Sequence, residues 1–390
     1  MRWPRVKVES LKADSRYSLV GGPFGSELTT RDYVEEGVPV IRGANLPDEQ
    51  PFKDDDFVFV SEQKADQLIA NNAHPGDVIF TQRGTLGQVG IIPSESHFPR
   101  YVVSQSQMKL TVNPNKTDAR FIYYFFRHRD AVQTLKNRSL TSGVPHINLG
   151  ILREFEIPLP PLETQREISD VLSAYDELIR NNCRRMELLE EVARLLYREW
   201  FVSLRFPGHE HARVADGVPQ GWERIAFDDA LVLQRGFDLR QDDWEDGVFP
   251  ICGSNGIIGY HNEAKVEGPG VYTGRSGSLG IVNYVDDDYW PHNTALWVRE
   301  FKKVMPLFAL FLLREMRLEQ YNGGVSVPTL DRKAVHRVPV LIPPQNLIAQ
   351  FDEQARAMFA QIRNLGRQNQ KLRAARDLLL PRLIGGEIAV

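Results

Sequence analysis

The chain has 390 residues, 42% of them hydrophobic, with 47 Lys+Arg against 51 Asp+Glu, a net charge of -4 and a pI near 6.2. That length allows two or three domains, and the balance of charge excludes a wholesale basic surface of the kind that holds nucleic acid by charge alone. No apolar run approaches the roughly 18 residues that cross a bilayer, the start Met1-Arg2-Trp3-Pro4 is no secretory signal, and Cys183 and Cys252 are too few for a disulfide framework or zinc cluster, so a cytoplasmic protein without a structural metal is expected.

Residues 1–160 read as a compact globule of short β-like runs, many glycines and aromatics, closed by an apolar helix over 121–126. A β-like stretch, Phe155-Glu156-Ile157-Pro158-Leu159, then leads into Pro160-Pro161. Proline is harmless at a helix entrance, where its missing N–H has no partner to lose. Glu163 and Glu167 suit the positive end of the helix dipole, and apolar residues recurring at threes and fours carry a helix to about Phe201, within a segment 161–204. Residues 205–343 form a second globule with its own apolar helix over 307–313. A second long helix, in 344–384, runs from about Gln345 to Leu383 and stops at Gly385-Gly386, leaving 385–390 as a tail. At 1.5 Å per residue each rod is about 55 to 60 Å long.

The two rods are copies of one another. Ile168, Tyr175, Asn182, Leu189 and Leu196 climb in sevens, as do Phe351, Met358, Leu365, Leu372 and Leu379, and the two ladders stand a constant 183 residues apart. Pro145, Pro160 and Pro161 fall on Pro328, Pro343 and Pro344 at the same offset. Heptads sustained this long point to mutual pairing as a coiled coil, in which Asn182 either fixes register or lies exposed to water. Opposite charge favours the pairing: residues 161–201 hold 6 Lys+Arg and 9 Asp+Glu, residues 325–383 hold 10 and 4. One molecule thus imitates a two-fold dimer.

The globules repeat as well, with drifting offset. Gly37-Val38-Pro39-Val40-Ile41-Arg42-Gly43 parallels Gly247-Val248-Phe249-Pro250-Ile251-Cys252-Gly253, and the run from Gly76-Asp77 to Arg83-Gly84-Thr85-Leu86-Gly87 answers Gly270 to Arg275-Ser276-Gly277-Ser278-Leu279-Gly280.

This pattern of globule, Pro-Pro, long helix, twice over, resembles the specificity subunit of type I restriction-modification enzymes across essentially the whole chain. The motifs that carry the resemblance are Gly21-Gly22-Pro23-Phe24-Gly25-Ser26, Gly76-Asp77, Arg83-Gly84 with Leu86-Gly87, and Pro158-Leu159-Pro160-Pro161-Leu162-Glu163-Thr164-Gln165. The second Pro-Pro element, Ile342-Pro343-Pro344-Gln345, departs from it by lacking the Glu-x-Gln, which weakens the analogy for partner docking at that end. The resemblance implies an α+β fold of two tandem target recognition domains and two long helices paired as an antiparallel coiled coil. It implies a non-catalytic reader of double-stranded DNA that binds no cofactor itself. Two methyltransferase (modification) subunits would supply S-adenosylmethionine chemistry, and motor/endonuclease restriction subunits would use ATP and Mg. A rod of about 55 Å spans about 16 base pairs, so readers at its ends can occupy successive major grooves, which recur every 10 to 10.5 base pairs or so. Unlike loops on like scaffolds predict an asymmetric, interrupted target.

The residues themselves show little chemistry. Neither Pro-Pro pair presents the amide or carboxylate of an adenine methyltransferase, and no Gly-x-x-x-x-Gly-Lys-Ser/Thr phosphate loop appears. Asp286-Asp287-Asp288 with Glu300 and Lys302 resembles a nuclease metal set, but Pro291 interrupts the intervening segment and the first globule has no counterpart. That Mg-dependent nuclease, and a coiled-coil adaptor whose globules bind protein or glycan, stay open as rival readings. DNA reading needs Arg, Lys, Asn or Gln for base edges and small polar donors for phosphates. The candidates are Arg42, Asn45, Gln82, Arg83, Ser104, Gln105, Ser106, Arg138 and Ser142 in the first globule. In the second they are Arg235, Arg240, Asn255, Arg275, Ser276, His292 and Asn293. Arg83 and Arg275 stand out because they repeat at equivalent places among glycines, with a structural salt bridge as their plain alternative.

Overall fold

A computed structural model describes residues 3–48, 50–139, 146–324 and 326–388. The chain divides into two units, Met1–Cys183 with Arg367–Val390, and Arg184–Gly366. Each unit contains one globule and half of each rod. The division therefore falls within the helices, not at the ends of the segments 161–204 and 344–384.

In the first unit the described strands are β1 (Arg5–Lys7), β2 (Leu19–Gly21), β3 (Tyr33–Val34), β4 (Val38–Ile41), β5 (Val58–Val60), β6 (Asn72–Ala73), β7 (Val78–Thr81), β8 (Val89–Ile91), β9 (Tyr101–Val103), β10 (Gln107–Leu110) and β11 (Glu156–Pro158). β1 pairs antiparallel with β11, a four-stranded antiparallel sheet has the order β2-β10-β7-β8, and a five-stranded sheet has the order β3-β5-β4-β9-β6. Within the last, β4 and β9 are parallel, Val40 opposite Val102. Every residue of β4, β7, β9 and β10 is buried; β4 and β9 accordingly run apolar without alternating, whereas β10 also buries Gln107 and Lys109, the latter paired with Asp77 at 3.5 Å. Helix Ala119–Arg127, capped by Asp118 accepting from the Arg120 and Phe121 amides, buries residues 121 to 126 and sets Phe126 edge-on to Phe80 at 4.9 Å.

The second unit repeats this plan. After the hairpin of β12 (Val214–Ala215) and β13 (Val218–Pro219) come β14 (Glu223–Ala226), β15 (Leu231–Arg235), β16 (Phe249–Gly253), β17 (Gly256–His261), β18 (Gly270–Gly274), β19 (Val282–Val285), β20 (Trp290–Pro291), β21 (Ala295–Phe301) and β22 (Pro339–Ile342). β14 pairs with β22, the four-stranded sheet runs β15-β21-β18-β19, and the smaller sheet runs β17-β16-β20 with β16 and β20 parallel. Helix Pro306–Glu315 takes the place of Ala119–Arg127 and buries Leu307 to Leu313. Both cysteines are free; burial pushes the Cys252 thiol up to about 12, while Cys183 accepts from the Asn369 amide at 3.3 Å.

The rods are Leu162–Tyr197, continued by one π-helical turn Arg198–Val202, and Gln345–Ile384. In the first unit Ile168 and Leu172 share a core with Leu380, Leu383 and Ile384, and Asn182 bonds Asn369 at 2.9 Å, so the helices run antiparallel. In the second unit Tyr197 and Trp200 pack on Phe351, and Met186 lies beside Gly366, again antiparallel. Asn182 is 2% exposed and bonded across the seam, so it does not lie exposed to water.

The proposed ladders are only half of the seam. Ile168, Asn182, Phe351 and Leu365 are buried, whereas Tyr175, Leu189, Leu196, Met358, Leu372 and Leu379 are partly exposed. A second pair of ladders, also in sevens and 183 apart, completes the contact: Leu172, Ile179, Met186, Ala193 and Trp200, and Ala355, Ile362, Asn369, Arg376 and Leu383. A coiled-coil seam needs two positions per heptad, and this second set is concealed in the sequence by an arginine, an asparagine and two alanines.

Arg376 and Asp176 form a buried ion pair in the first unit, and Tyr124 donates its hydroxyl to Asp176 at 2.8 Å. Burial, with that carboxylate beside it, raises the Tyr124 phenol well above its ordinary range. At the equivalent places the second unit has Phe359, Ala193 and Phe311, with Phe311 and Phe359 in edge contact at 6.2 Å. Arg376→Ala alone should cost the first unit about 3 to 5 kcal/mol by leaving a buried carboxylate unpaired. The set Tyr124→Phe, Asp176→Phe, Arg376→Ala, copied from the second unit, should recover most of that in denaturant titrations of the full chain. A triple variant no more stable than the single one would reject the equivalence.

Candidate nucleic-acid interface

In the first unit the loops after β2, β4, β7 and β9 issue from one end of the sheets. This follows from topology: β4 and β9 are parallel, and β7 ends where β10 begins, Thr81 opposite Gln107. Gln82, Arg83 and Gln105 meet the Gly21-to-Gly25 loop around a cleft of about 470 Å³. Gln82 donates to the Gln105 carbonyl, and Gln105 donates to the carbonyls of Gly25 and Leu28. These two amides shape the cleft. Ser106 accepts the Gln82 backbone N–H at 2.8 Å, and Ser104 receives the Ser106 N–H on its hydroxyl at 3.4 Å. Arg83 is exposed, and among the described residues its guanidinium has no hydrogen-bond or ionic partner, so the salt bridge considered for it is not made.

Three other candidates do not stand as free readers. Asn45 is 0% exposed; its amide donates to the Lys53 and Asp55 carbonyls and accepts from the Arg42 N–H, so it builds the 42–56 loop from within. Arg42 is half-buried and donates to the Asp56 carbonyl at 3.1 Å in the same loop. Arg138 lies over the Phe155 ring at 5.1 Å and does not line the cleft. Ser142 lies outside the described residues. Phe24, named above only within its motif, is on the cleft lip and 86% exposed.

The second unit gathers its candidates around the end of β18. Arg275 follows Gly274 as Arg83 follows Gln82, and its Nε donates to the Asn293 carbonyl at 2.8 Å, leaving the outer nitrogens of the fork. Asp238 accepts from Arg235 at 2.8 Å and from the Asn293 amide. That amide, with Arg235 near it, holds the Asp238 carboxyl below its usual range. His292 spends both ring nitrogens locally, on Thr294 at 3.0 Å and the Leu239 carbonyl at 3.2 Å, which makes it a loop support. Ser276 bridges to Thr329, and Ser254, beside exposed Asn255, packs near Gly274. Arg240 is exposed at the head of the turn Gln241–Asp243.

The acidic set is dispersed. Asp286 is paired with Arg363 and accepts from Tyr284, Asp288 accepts the Gly268 N–H at 2.9 Å, and Lys302 donates to the Asp228 carbonyl at 2.7 Å. Among the described residues no three His, Cys, Asp or Glu gather to hold a metal.

The chain is similar to known proteins over most of its length. The type I restriction modification DNA specificity domain matches residues 28–191 and 219–365. The specificity subunit of the MjaIX type I restriction enzyme of Methanocaldococcus jannaschii is 24% identical over 345 residues, 81% of this chain and 78% of that one. The HindI specificity subunit of Haemophilus influenzae is 19% identical over 80% and 86% of the two chains. The S subunit of a type I restriction-modification system from M. genitalium shares the fold, with a TM-score of 0.59, 17% identity and coverage of 98% and 96%.

Asn45→Ala should lower thermal stability by about 1 kcal/mol or more, since three part-buried backbone groups lose their partner. Arg83→Ala should change it by less than about 0.5 kcal/mol. Equal melting of the two variants would overturn the division between loop builder and free side chain.

Proposed function

The chain belongs to the family of type I restriction-modification DNA specificity subunits, and on that premise we propose that its first globule reads one half, and its second the other half, of a bipartite, asymmetric sequence in double-stranded DNA. The observation that carries this reading is the repeat of one free-ended arginine, Arg83 after β7 and Arg275 after β18, in two copies of one sheet plan whose surrounding loops differ. An arginine fork meets guanine or phosphate, and unlike neighbours make the two halves of the target unlike.

The rods set the gap between half-sites and dock two methyltransferase subunits, with motor/endonuclease restriction subunits joining the assembly. Half-exposed Leu178, Leu188, Val192 and Leu195, and the more exposed Leu378, offer apolar surface on the rods for that docking. The chain itself is a non-catalytic reader; S-adenosylmethionine, ATP and Mg act in the partner subunits. Work on chromosomal DNA puts the assembly in the cytoplasm. Among the described residues no helix is long and apolar enough to cross a membrane. The Gln165 of the Glu-x-Gln motif serves the fold: it is buried, accepts from Thr117 at 2.7 Å and donates to the Pro160 carbonyl at 2.8 Å. Gln345 after the second Pro-Pro is exposed and donates to the Lys303 carbonyl at 2.6 Å, so of the two glutamines Gln165 is the one withdrawn from docking.

Selection from random duplex pools, with the modification subunits present, tests the reading. Arg83→Ala and Arg275→Ala should each blur one half-site by about 1 to 3 kcal/mol, and not the same one. Unchanged preferences in both would refute it. Removing one heptad from each rod shortens it by about 10 Å and should shrink the preferred gap by about 3 base pairs; a constant gap would reject the rods as spacer.

A further inference from the structure

Phe24 has the highest exposure of any large apolar side chain among the described residues, yet it sits on a turn secured from several sides. Gly22 lets the chain run against the 104–105 backbone, where any Cβ would collide with the Ser104 carbonyl. Gly25 takes φ +53°, a left-handed conformation that glycine adopts without strain. Glu27 closes the turn, its carboxylate accepting the Phe24 N–H at 3.0 Å and its own N–H donating to the Phe24 carbonyl at 3.0 Å. Gln105 then ties down Gly25 and Leu28 from below. An aromatic ring presented this way loses little entropy on contact, because the backbone beneath it is already ordered.

Its neighbour in the cleft is Arg83, whose guanidinium has no hydrogen-bond or ionic partner among the described residues. A ring and a cation on one glycine-lined lip match the two chemistries of a base-pair step, the flat apolar face of a base and the acceptor edge of its neighbour. The second unit lacks the ring at this place. Gly236 makes the same close approach, to the His292 carbonyl, but Phe237 is turned onto Trp297, with centroids 6.2 Å apart, and Asp238 is occupied by Arg235 and Asn293.

We propose that Phe24 is an apolar wedge that enters a base-pair step of the half-site read by the first globule, with Arg83 on the edge of the adjoining base pair. The wedge rests on the DNA-reading function above. It makes the two half-sites differ in mechanism: one is opened at a step by an inserted ring, the other is read without one. Inserted apolar side chains unstack a step and favour sequences that deform easily, so the first half-site should contain a flexible pyrimidine–purine step.

The test uses the full chain assembled with its modification subunits, on cognate duplexes carrying 2-aminopurine at successive positions of the half-site that Arg83→Ala blurs. Wild-type binding should raise fluorescence at one step. Phe24→Ala should abolish that rise and weaken binding at least tenfold, with unchanged melting of the chain, while Phe24→Leu, still an apolar wedge, should keep most of both. Wild-type fluorescence and affinity in Phe24→Ala, with Arg83→Ala still blurring its half-site, would overturn the wedge and leave DNA reading standing. Loss of modification-subunit recruitment in Phe24→Ala, with duplex binding intact, would make the ring a protein contact and overturn the wedge as well. Absence of sequence-selective binding by the wild-type assembly would sink the reading function and the wedge together.

Discussion

Antiparallel pairing of the two rods is the constraint on which each unit depends. Neither globule closes its core alone: the first shares it with Ile168 and Leu172 from one rod and Leu380 and Leu383 from the other, the second with Tyr197, Trp200 and Phe351. Removing the rods would therefore expose the underside of each head, and a slip of register would misplace every one of these side chains at once. Burial of apolar surface supplies most of the stability, and the polar rungs Asn182–Asn369 and Asp176–Arg376 decide which alignment receives it.

Those rungs also break the symmetry of the repeat. Were the first rod laid against a copy of itself, Asp176 would face Ala193 in place of Arg376, and a buried carboxylate would stand unpaired. Such a charge costs several kcal/mol, more than an apolar contact at that place returns. The duplicated halves have thus diverged in the interior as well as in the loops, with the second unit filling the same positions by Phe311 and Phe359.

The loops show how a shared scaffold yields two different surfaces. Parallel β4 with β9, and β16 with β20, deliver the same set of chain ends in each unit, so a residue's place in the repeat says where it emerges. The equivalent placement of Arg83 and Arg275 was legible for that reason. The backbone bonds of Asn45 and His292 were not legible, because polarity in a glycine-rich loop looks the same whether the side chain faces solvent or is bonded to the backbone beneath it. Phe24 carried only a faint signal, a lone ring in the glycine-rich run Gly21-Gly22-Pro23-Phe24-Gly25.

Periodicity and punctuation alone determined the duplication, the two rods and their ends, the two apolar helices and the alternation of heads and rods. Those features are written in spacing, and spacing survives without coordinates. Only the tertiary structure decided which polar side chains are consumed inside: Arg376 and Asn369 in the seam, Gln165 at the rod entrance, Asn45 under its loop. Each of these is polar and was free, on spacing alone, to face water. What assigns it to the interior is a partner brought from far along the chain, as Asp176 is to Arg376, and such a meeting exists only once the chain has folded.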